Sequence, residues 1–251
     1  VVMPVGRDPL ALGTALFARV EELRDVHIFV QTPSREFPWY EPGWEESFQV
    51  EIGLITPIAA MSVAERRADL SVNFLDFSFE PRVRDVDVVM VETSPPDRYG
   101  FCSFGVSLWN KKDQCESARA VLAEVNERVI RTYGENYIHV SEITHFVEHT
   151  PTGGERLSRD LIGRKTEEWR PPEYIKTIAG YVNSLIKDGD TIQIGAGNTS
   201  EPLVLAGLFD NKHDLGWHSE ATPRGIVSLV RNGVINGKYK TLNPYKAVAA
   251  A

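Results

Sequence analysis

Short clusters of β-branched and other apolar residues alternate along this chain with longer segments of helical periodicity. The predicted elements are strands at 26–30, 86–91 and 192–194 and helices at 10–23, 117–127 and 173–186. Such alternation is typical of parallel sheets that are covered by helices on both faces. The sequence therefore predicts the α/β class.

A segment rich in proline, glycine and charged residues interrupts this alternation near the middle of the chain. It runs from His149 to Pro172, and a fresh helix, turn and strand pattern follows it. Such composition is typical of a connection between domains. We therefore expect a first domain over residues 1–149, a linker over 150–172 and a second domain over 173–251, which is short for a doubly wound sheet.

Charge and composition exclude several classes of function. The formal net charge is −8, which repels nucleic acid phosphates and anionic lipids. Cys102 and Cys115 lack C-x-x-C spacing and a nearby histidine pair, so neither a metal site nor a disulfide framework is expected. The sequence contains no apolar run of the ~18 residues that a membrane helix needs. We expect a cytoplasmic protein without nucleic-acid or membrane partners.

A glycine turn is the first candidate site. The predicted strand at 192–194 leads into Gly195, Ala196, Gly197 and Asn198, and a predicted helix over 201–208 follows. Backbone N–H groups in such a turn can approach an anion or a developing oxyanion. Ser200 occupies the third glycine position of the dinucleotide pattern, which therefore fails. A purely structural turn remains the alternative.

Glu220 is the second candidate. A carboxylate is a weak nucleophile unless a neighbouring site polarises the carbonyl that it attacks. The glycine turn at 195–198 is a candidate for that help, and His218 is a candidate for orienting the carboxylate. A solvated loop charge at Glu220 and a structural histidine beside Trp217 are the alternatives.

The segment from Ser94 to Gly105 follows a predicted buried strand. It thus lies at the carboxyl end of that strand, where open α/β sheets place their ligands, although a plain turn is the alternative. Cys102 has no visible base or cation to lower the pKa of its thiol, so thiol catalysis is not expected. Arg131 either contacts an anion or ends a helix with a favourable charge.

An aromatic group at 37–40, together with Trp44, forms an unusual insert in the first half of the chain. Aromatic side chains that cluster in this way are typical of interaction surfaces. We interpret the insert as the cover of an apolar acyl pocket or as part of a contact between subunits.

Taken together, these motifs resemble those of the acetyl-CoA hydrolases and CoA-transferases, typified by the 4-hydroxybutyrate and butyrate CoA-transferases. The similar segments are 87–105, with the Ser-Pro-Pro-Asp-x-x-Gly loop, 121–143, 191–198, with the Gly-x-Gly loop, 215–225, with Gly-x-His-x-Glu, and 233–244. Glu220 stands where the family has its catalytic glutamate. Residues 221–224 and 129–130 differ from the residues common in the family, which leaves the acyl preference open.

The resemblance implies two related open α/β domains of the CoA-transferase type, the second incomplete, with the site in the cleft between them. It implies that Glu220 is the nucleophile and that residues 195–198 bind CoA and the oxyanion. His218, Ser94 and Pro95 are then substrate-binding residues, and no metal takes part.

The implied reaction moves CoA from an acyl-CoA to a small carboxylic acid through a covalent glutamyl-CoA intermediate. CoA is a substrate here, and no other cofactor is expected. A homo-oligomer is also implied. An acyl-CoA hydrolase and a non-catalytic CoA-binding or assembly subunit are the alternatives. A sugar-phosphate isomerase would need a cluster of basic residues near the glycine turn, which the sequence lacks.

Overall fold

The computed structural model describes residues 1–71, 86–151 and 170–249. The chain divides into two compact units, Val1–Arg164 and Lys165–Ala251. Each unit has its own parallel sheet and its own hydrophobic core. Most of the predicted linker at 150–172 lies outside the described residues, so the predicted domain bounds stay a prediction.

The first unit is built on a seven-stranded sheet with the order β4-β3-β2-β1-β5-β7-β9. Its strands are β1 (Val2–Met3), β2 (Val26–Val30), β3 (Phe48–Ile52), β4 (Ala68–Leu70), β5 (Val88–Thr93), β7 (Ala120–Val125) and β9 (His145–Glu148). Its helices are α1 (Leu10–Ala18), α2 (Ala60–Ala64) and α3 (Lys111–Ser117), and β6 (Phe101–Ser103) and β8 (Tyr137–His139) form a separate antiparallel pair. All the pairings in the large sheet are parallel. The predicted α/β class is confirmed.

The strand order changes direction at the centre of this sheet. From β1 the chain builds outward through β2, β3 and β4, and it then returns to β5 on the other side of β1. In open α/β sheets, such a switch point is where ligands bind at the carboxyl ends of the strands. The loops that follow β1 and β5 therefore carry the residues to inspect in this unit.

The aromatic insert belongs to the core of the first unit. Phe37, Trp39 and Tyr40 are buried, and the rings of Phe37 and Trp39 lie 4.3 Å apart between centroids. A Cβ atom on Gly13 of α1 would lie 2.3 Å from the Phe37 ring, so the helix needs glycine at this close approach. Burial of each such ring is worth roughly 2–3 kcal/mol. The interpretation as a pocket cover or subunit contact is therefore wrong for these three residues.

The predicted helix at 117–127 is also wrong, because residues 120–125 form β7. This strand pairs with β5 on one side and β9 on the other. A central parallel strand is covered on both faces and has a nearly continuous apolar sequence, whose spacing also matches one face of a helix. The first predicted helix ends earlier than expected, at Ala18.

The second unit contains a three-stranded parallel sheet with the order β10-β11-β12. Its elements are α4 (Glu173–Leu185), β10 (Thr191–Ile192), a 3₁₀ helix (Glu201–Ala206), β11 (Gly216–Ser219), α5 (Ile226–Arg231) and β12 (Val248–Ala249). Helix α4 matches the predicted helix at 173–186. It buries Ile175 and Ala179 in a core that includes Leu215 and Trp217. The predicted helix at 201–208 has 3₁₀ geometry and ends before Gly207.

Candidate functional site

The glycine turn and Glu220 follow neighbouring strands of the second unit. The turn comes after β10 and Glu220 directly after β11, and these strands are parallel. Ser219 joins the two segments: the N–H of Ile194 donates to Ser219 Oγ at 3.1 Å, and this hydroxyl donates to the carbonyl of Ile194 at 2.9 Å. The residue before Glu220 is thereby fixed to the residue before the glycine turn. The sequence reasoning missed Ser219, whose only signal is that it directly precedes Glu220.

The four residues of the glycine turn differ in their hydrogen bonding. Ser200 Oγ donates to the carbonyl of Gly195 at 2.6 Å, and the N–H of Gly197 donates to Glu201 Oε1 at 3.0 Å. The N–H groups of Ala196 and Asn198 have no hydrogen-bond partner in the described part of the chain. These two groups, rather than Gly197, are the better candidates for oxyanion donors.

Glu220 and His218 are both reachable from solvent. Glu220 is exposed, and within the described ranges its carboxylate forms no hydrogen bond or ion pair. His218 is half-buried in β11, opposite Val248 of β12. Its ring has no hydrogen-bond partner among the described residues. The orienting role of His218 stays a prediction.

A buried lysine supports β11 behind this site. Lys240 Nζ donates to the carbonyl of Trp217 at 2.8 Å and to that of Lys246 at 2.7 Å, and burial lowers the pKa of its ammonium group. A Cβ atom on Gly216 would lie 2.6 Å from Lys240 Cγ, so the strand needs glycine where the lysine stem crosses it. The sequence reasoning did not identify this contact.

Ser94 and Pro95 lie in a loop of the first unit that is closed by hydrogen bonds. Ser94 Oγ accepts the N–H of Ser103 at 2.9 Å and a guanidinium N–H of Arg131 at 3.0 Å, and the same guanidinium donates to the carbonyl of Pro95 at 3.0 Å. Arg131 also forms an ion pair with Asp97 at 3.2 Å. The guanidinium thus binds its own chain and does not end a helix. A substrate-binding role for Ser94 and Pro95 stays a prediction.

Both cysteines are buried, which agrees with the exclusion of thiol catalysis. Burial raises the pKa of the Cys115 thiol to about 12 and also raises that of Cys102. Thiols with raised pKa values carry little thiolate at neutral pH, and the thiolate is the reactive form. In residues 1–71, 86–151 and 170–249, no three His, Cys, Asp or Glu side chains come together as a metal site.

Two buried glutamates lie at the carboxyl end of the first unit's sheet. Glu92 of β5 and Glu124 of β7 are directly paired in the strand register. Glu124 is hydrogen-bonded to His149, and Glu92 accepts a hydrogen bond from Asn126 at 2.8 Å. The sequence reasoning missed Glu124 because it placed this residue on a helix.

Two further buried charges flank these glutamates. Lys111 is buried, which lowers the pKa of its ammonium group to about 8, and Glu92 partly offsets this effect. Asp8, which lies in the loop between β1 and α1, is fully buried, and this raises the pKa of its carboxyl group to about 6. No periodicity or motif in the sequence distinguishes these two residues from surface charges.

Helices in the described ranges are too short or too polar to cross a membrane. The sequence profile of the acetyl-CoA hydrolase/transferase N-terminal domain matches residues 48–152. The 4-hydroxybutyrate coenzyme A transferase of Clostridium kluyveri is 34% identical over 96% of this chain and 54% of its own length. The chain therefore spans about half the length of the curated relatives that it matches.

Solved structures agree with this similarity. The 4-hydroxybutyrate CoA-transferase from Porphyromonas gingivalis is 30% identical, with a TM-score of 0.68 over 99% of this chain and 57% of its own. RipA from Yersinia pestis shares the fold, with a TM-score of 0.82 at 23% identity over 99% of this chain and 59% of that protein. On these similarities and on the motifs around Glu220, the chain belongs to the acetyl-CoA hydrolase/CoA-transferase family.

Proposed function

We propose that this chain is part of a CoA-transferase that moves CoA from an acyl-CoA to a small carboxylic acid, with Glu220 as the nucleophile. Its relatives include enzymes named as 4-hydroxybutyrate and butyryl-CoA:acetate CoA-transferases. CoA is a substrate of this reaction, and the steps below need no further cofactor. The family resemblance also leads us to propose a cytoplasmic homo-oligomer.

One observation carries the assignment of Glu220. The two hydrogen bonds between Ser219 and Ile194 fix the start of the glycine turn beside the segment that presents the Glu220 carboxylate. The nucleophile and the unpartnered N–H groups of Ala196 and Asn198 therefore follow adjacent parallel strands. A nucleophile beside oxyanion donors is the arrangement that acyl transfer requires.

The chemistry begins when Glu220 attacks the thioester carbonyl of the donor. A mixed anhydride forms and the CoA thiolate leaves; the thiolate then attacks the glutamyl carbonyl, which releases the donor carboxylate and leaves CoA bound to Glu220 as a thioester. An acceptor carboxylate reverses these steps. Each oxyanion donor from the glycine turn is worth about 3–4 kcal/mol of transition-state stabilisation.

The test is the intact mass of this chain after incubation with acetyl-CoA, butyryl-CoA or succinyl-CoA, followed by peptide mapping. We expect a CoA adduct on Glu220 that is lost in Glu220→Gln and kept in Glu173→Gln, a control glutamate that is exposed on α4 of the same unit. A longer chain, with the length of the curated relatives, is measured in parallel. An adduct on neither chain would refute the glutamyl-CoA mechanism and favour a non-catalytic CoA-binding or assembly subunit.

Transfer to water instead of a carboxylate would make the same site a hydrolase, and the description of the matched domain covers both activities. The two reactions share the acyl-glutamyl stage and differ in the acceptor. Formation of acetyl-CoA from butyryl-CoA and release of free CoA are therefore both measured, with and without acetate. Acetyl-CoA that forms only when acetate is present identifies transfer, whereas free CoA released at a rate independent of acetate identifies hydrolysis.

A further inference from the structure

A cavity of about 300 Å³ lies in the first unit, between helix α3, the start of β7 and strand β8. Two of its lining residues mark the amino edge of the sheet: Val121 is the second residue of β7, and Thr144 directly precedes β9. Open α/β proteins bind the substrates of their reactions at the opposite, carboxyl edge. The cavity therefore lies away from the strand ends that carry Glu92 and Glu124.

The floor of this cavity is apolar. Cys115 of α3, Val121 of β7 and Ile138 of β8 line it, and all three are buried. Burial raises the pKa of the Cys115 thiol to about 12, so the thiol is neutral at physiological pH and acts as a small apolar group. The floor can thus cover the apolar body of a small molecule.

The lining also carries four charged side chains, of which two already have partners. Arg119 forms an ion pair with Asp87 at 2.6 Å. Glu142 Oε2 accepts the backbone N–H of His139 at 2.8 Å. The charges of these two side chains are therefore partly used within the protein.

Lys112 and Glu116 are the other two charges of the lining. Neither forms a hydrogen bond or an ion pair within the described part of the chain. They are four residues apart on α3, which makes them neighbours on one face of the helix, with Cβ atoms about 5–6 Å apart. Opposite charges at this spacing can pair with each other, but these two do not. They offer one cation and one anion to a ligand.

This charge balance narrows the class of ligand. A simple carboxylate would pair with Lys112 but would place a second anion beside Glu116, and a simple amine would place a second cation beside Lys112. A zwitterion with an apolar body pairs with both charges and covers the floor. The volume is at the lower end of the range for ligand pockets, which fits a small molecule better than a coenzyme.

We propose that this cavity binds a free amino acid with an apolar side chain. The carboxylate of the amino acid pairs with Lys112 and its ammonium group with Glu116. Its side chain packs against Cys115, Val121 and Ile138. The site uses no residue of the second unit, so it is independent of the proposed function.

Isothermal titration calorimetry of the whole chain with L-leucine tests this proposal. We expect L-leucine to bind, and three compounds that each lack one recognised part to bind at least about tenfold more weakly. These are 4-methylpentanoate without the ammonium group, 3-methylbutylamine without the carboxylate, and glycine without the apolar side chain. No binding of L-leucine at millimolar concentrations would overturn the proposal. Binding of 4-methylpentanoate or 3-methylbutylamine as tight as that of L-leucine would also overturn it, because the site would then recognise a single charge.

Two variants locate the site, and both change side chains that are not buried. Lys112→Met should weaken L-leucine binding by about tenfold without weakening that of 3-methylbutylamine, and Glu116→Gln should do so without weakening that of 4-methylpentanoate. The matched control is Asp113→Asn, because Asp113 is exposed on the same helix and does not line the cavity. L-leucine binding that is unchanged in both variants, or that is lost in Glu220→Gln, would place the ligand elsewhere and refute the proposal.

Discussion

Replacement of Asp8 by asparagine should stabilise the first unit at neutral pH. Asp8 is fully buried; its Oδ2 accepts the N–H of Ser34 at 2.8 Å, whereas its Oδ1 has no hydrogen-bond partner. Burial raises the pKa of this carboxyl group to about 6. An asparagine oxygen can keep the bond to Ser34, and the variant removes a charge that is buried without full compensation.

The magnitude follows from the difference between the folded and unfolded pKa values. An unfolded aspartate has a pKa of about 3.9, so the folded state holds the proton more tightly by about two units, or about 3 kcal/mol. This contribution to stability is fully present below pH ~4 and is lost as the pH rises through about 6. We therefore expect Asp8→Asn to be about as stable as the parent at pH 4 and about 1–3 kcal/mol more stable at pH 7.5, since the new amide group costs part of the gain.

Urea unfolding followed by tryptophan fluorescence at several pH values between 4 and 8 measures this difference. Trp39 is buried in the same unit and reports on its unfolding. The matched control is Asp69→Asn, because Asp69 is exposed on β4. If Asp8→Asn were destabilised at pH 7.5 by an amount that does not vary with pH, the argument from burial would be wrong.

Three further predictions concern other contacts. Ser219→Ala should lower the free energy of unfolding of the second unit by about 1–3 kcal/mol, because two buried groups of Ile194 lose their partner. It should also slow adduct formation on Glu220. Urea unfolding and intact mass measure these effects, with Ser228→Ala as a control because Ser228 is exposed. Arg131→Met should make the loop at 94–101 more susceptible to proteolysis, since its guanidinium donates to four residues there; an unchanged cleavage rate would contradict this. Both thiols should react with a maleimide only after denaturation, as measured by mass.

The local parts of this fold were more predictable than its long-range contacts. Strand β2 matches its predicted range because five consecutive residues carry the pattern. Helix α4 follows two prolines and has an amphipathic period, and both features are visible in sequence. The sequence does not separate a buried central strand from one face of a helix, and β7 was therefore mistaken for a helix. The difference depends on β5 and β9, which supply both of its neighbours.

The same distinction holds for the candidate sites. Glu220 and the glycine turn could be named as candidates because each lies in a short motif. The pair of Glu124 and His149 joins positions 25 residues apart, and the contact of Glu124 with Ala11 joins positions 113 apart. Only the register of the parallel strands brings these side chains together. Asp8 and Ser34 were missed because their contact joins two loops whose residues are 26 positions apart.

The in-register glutamates restrict how this protein can change over evolutionary time. Glu92 and Glu124 stand side by side on strands about 4.8 Å apart, and each has its own partner: the charge of Glu92 acts on the buried Lys111, and Glu124 is bonded to His149. Loss of either partner leaves one buried carboxylate beside another without its partner, which costs about 3–5 kcal/mol. In homologous sequences, a replacement at residue 92 should therefore be accompanied by a replacement at residue 111, and the same should hold for residues 124 and 149. Each pair is thus expected to covary.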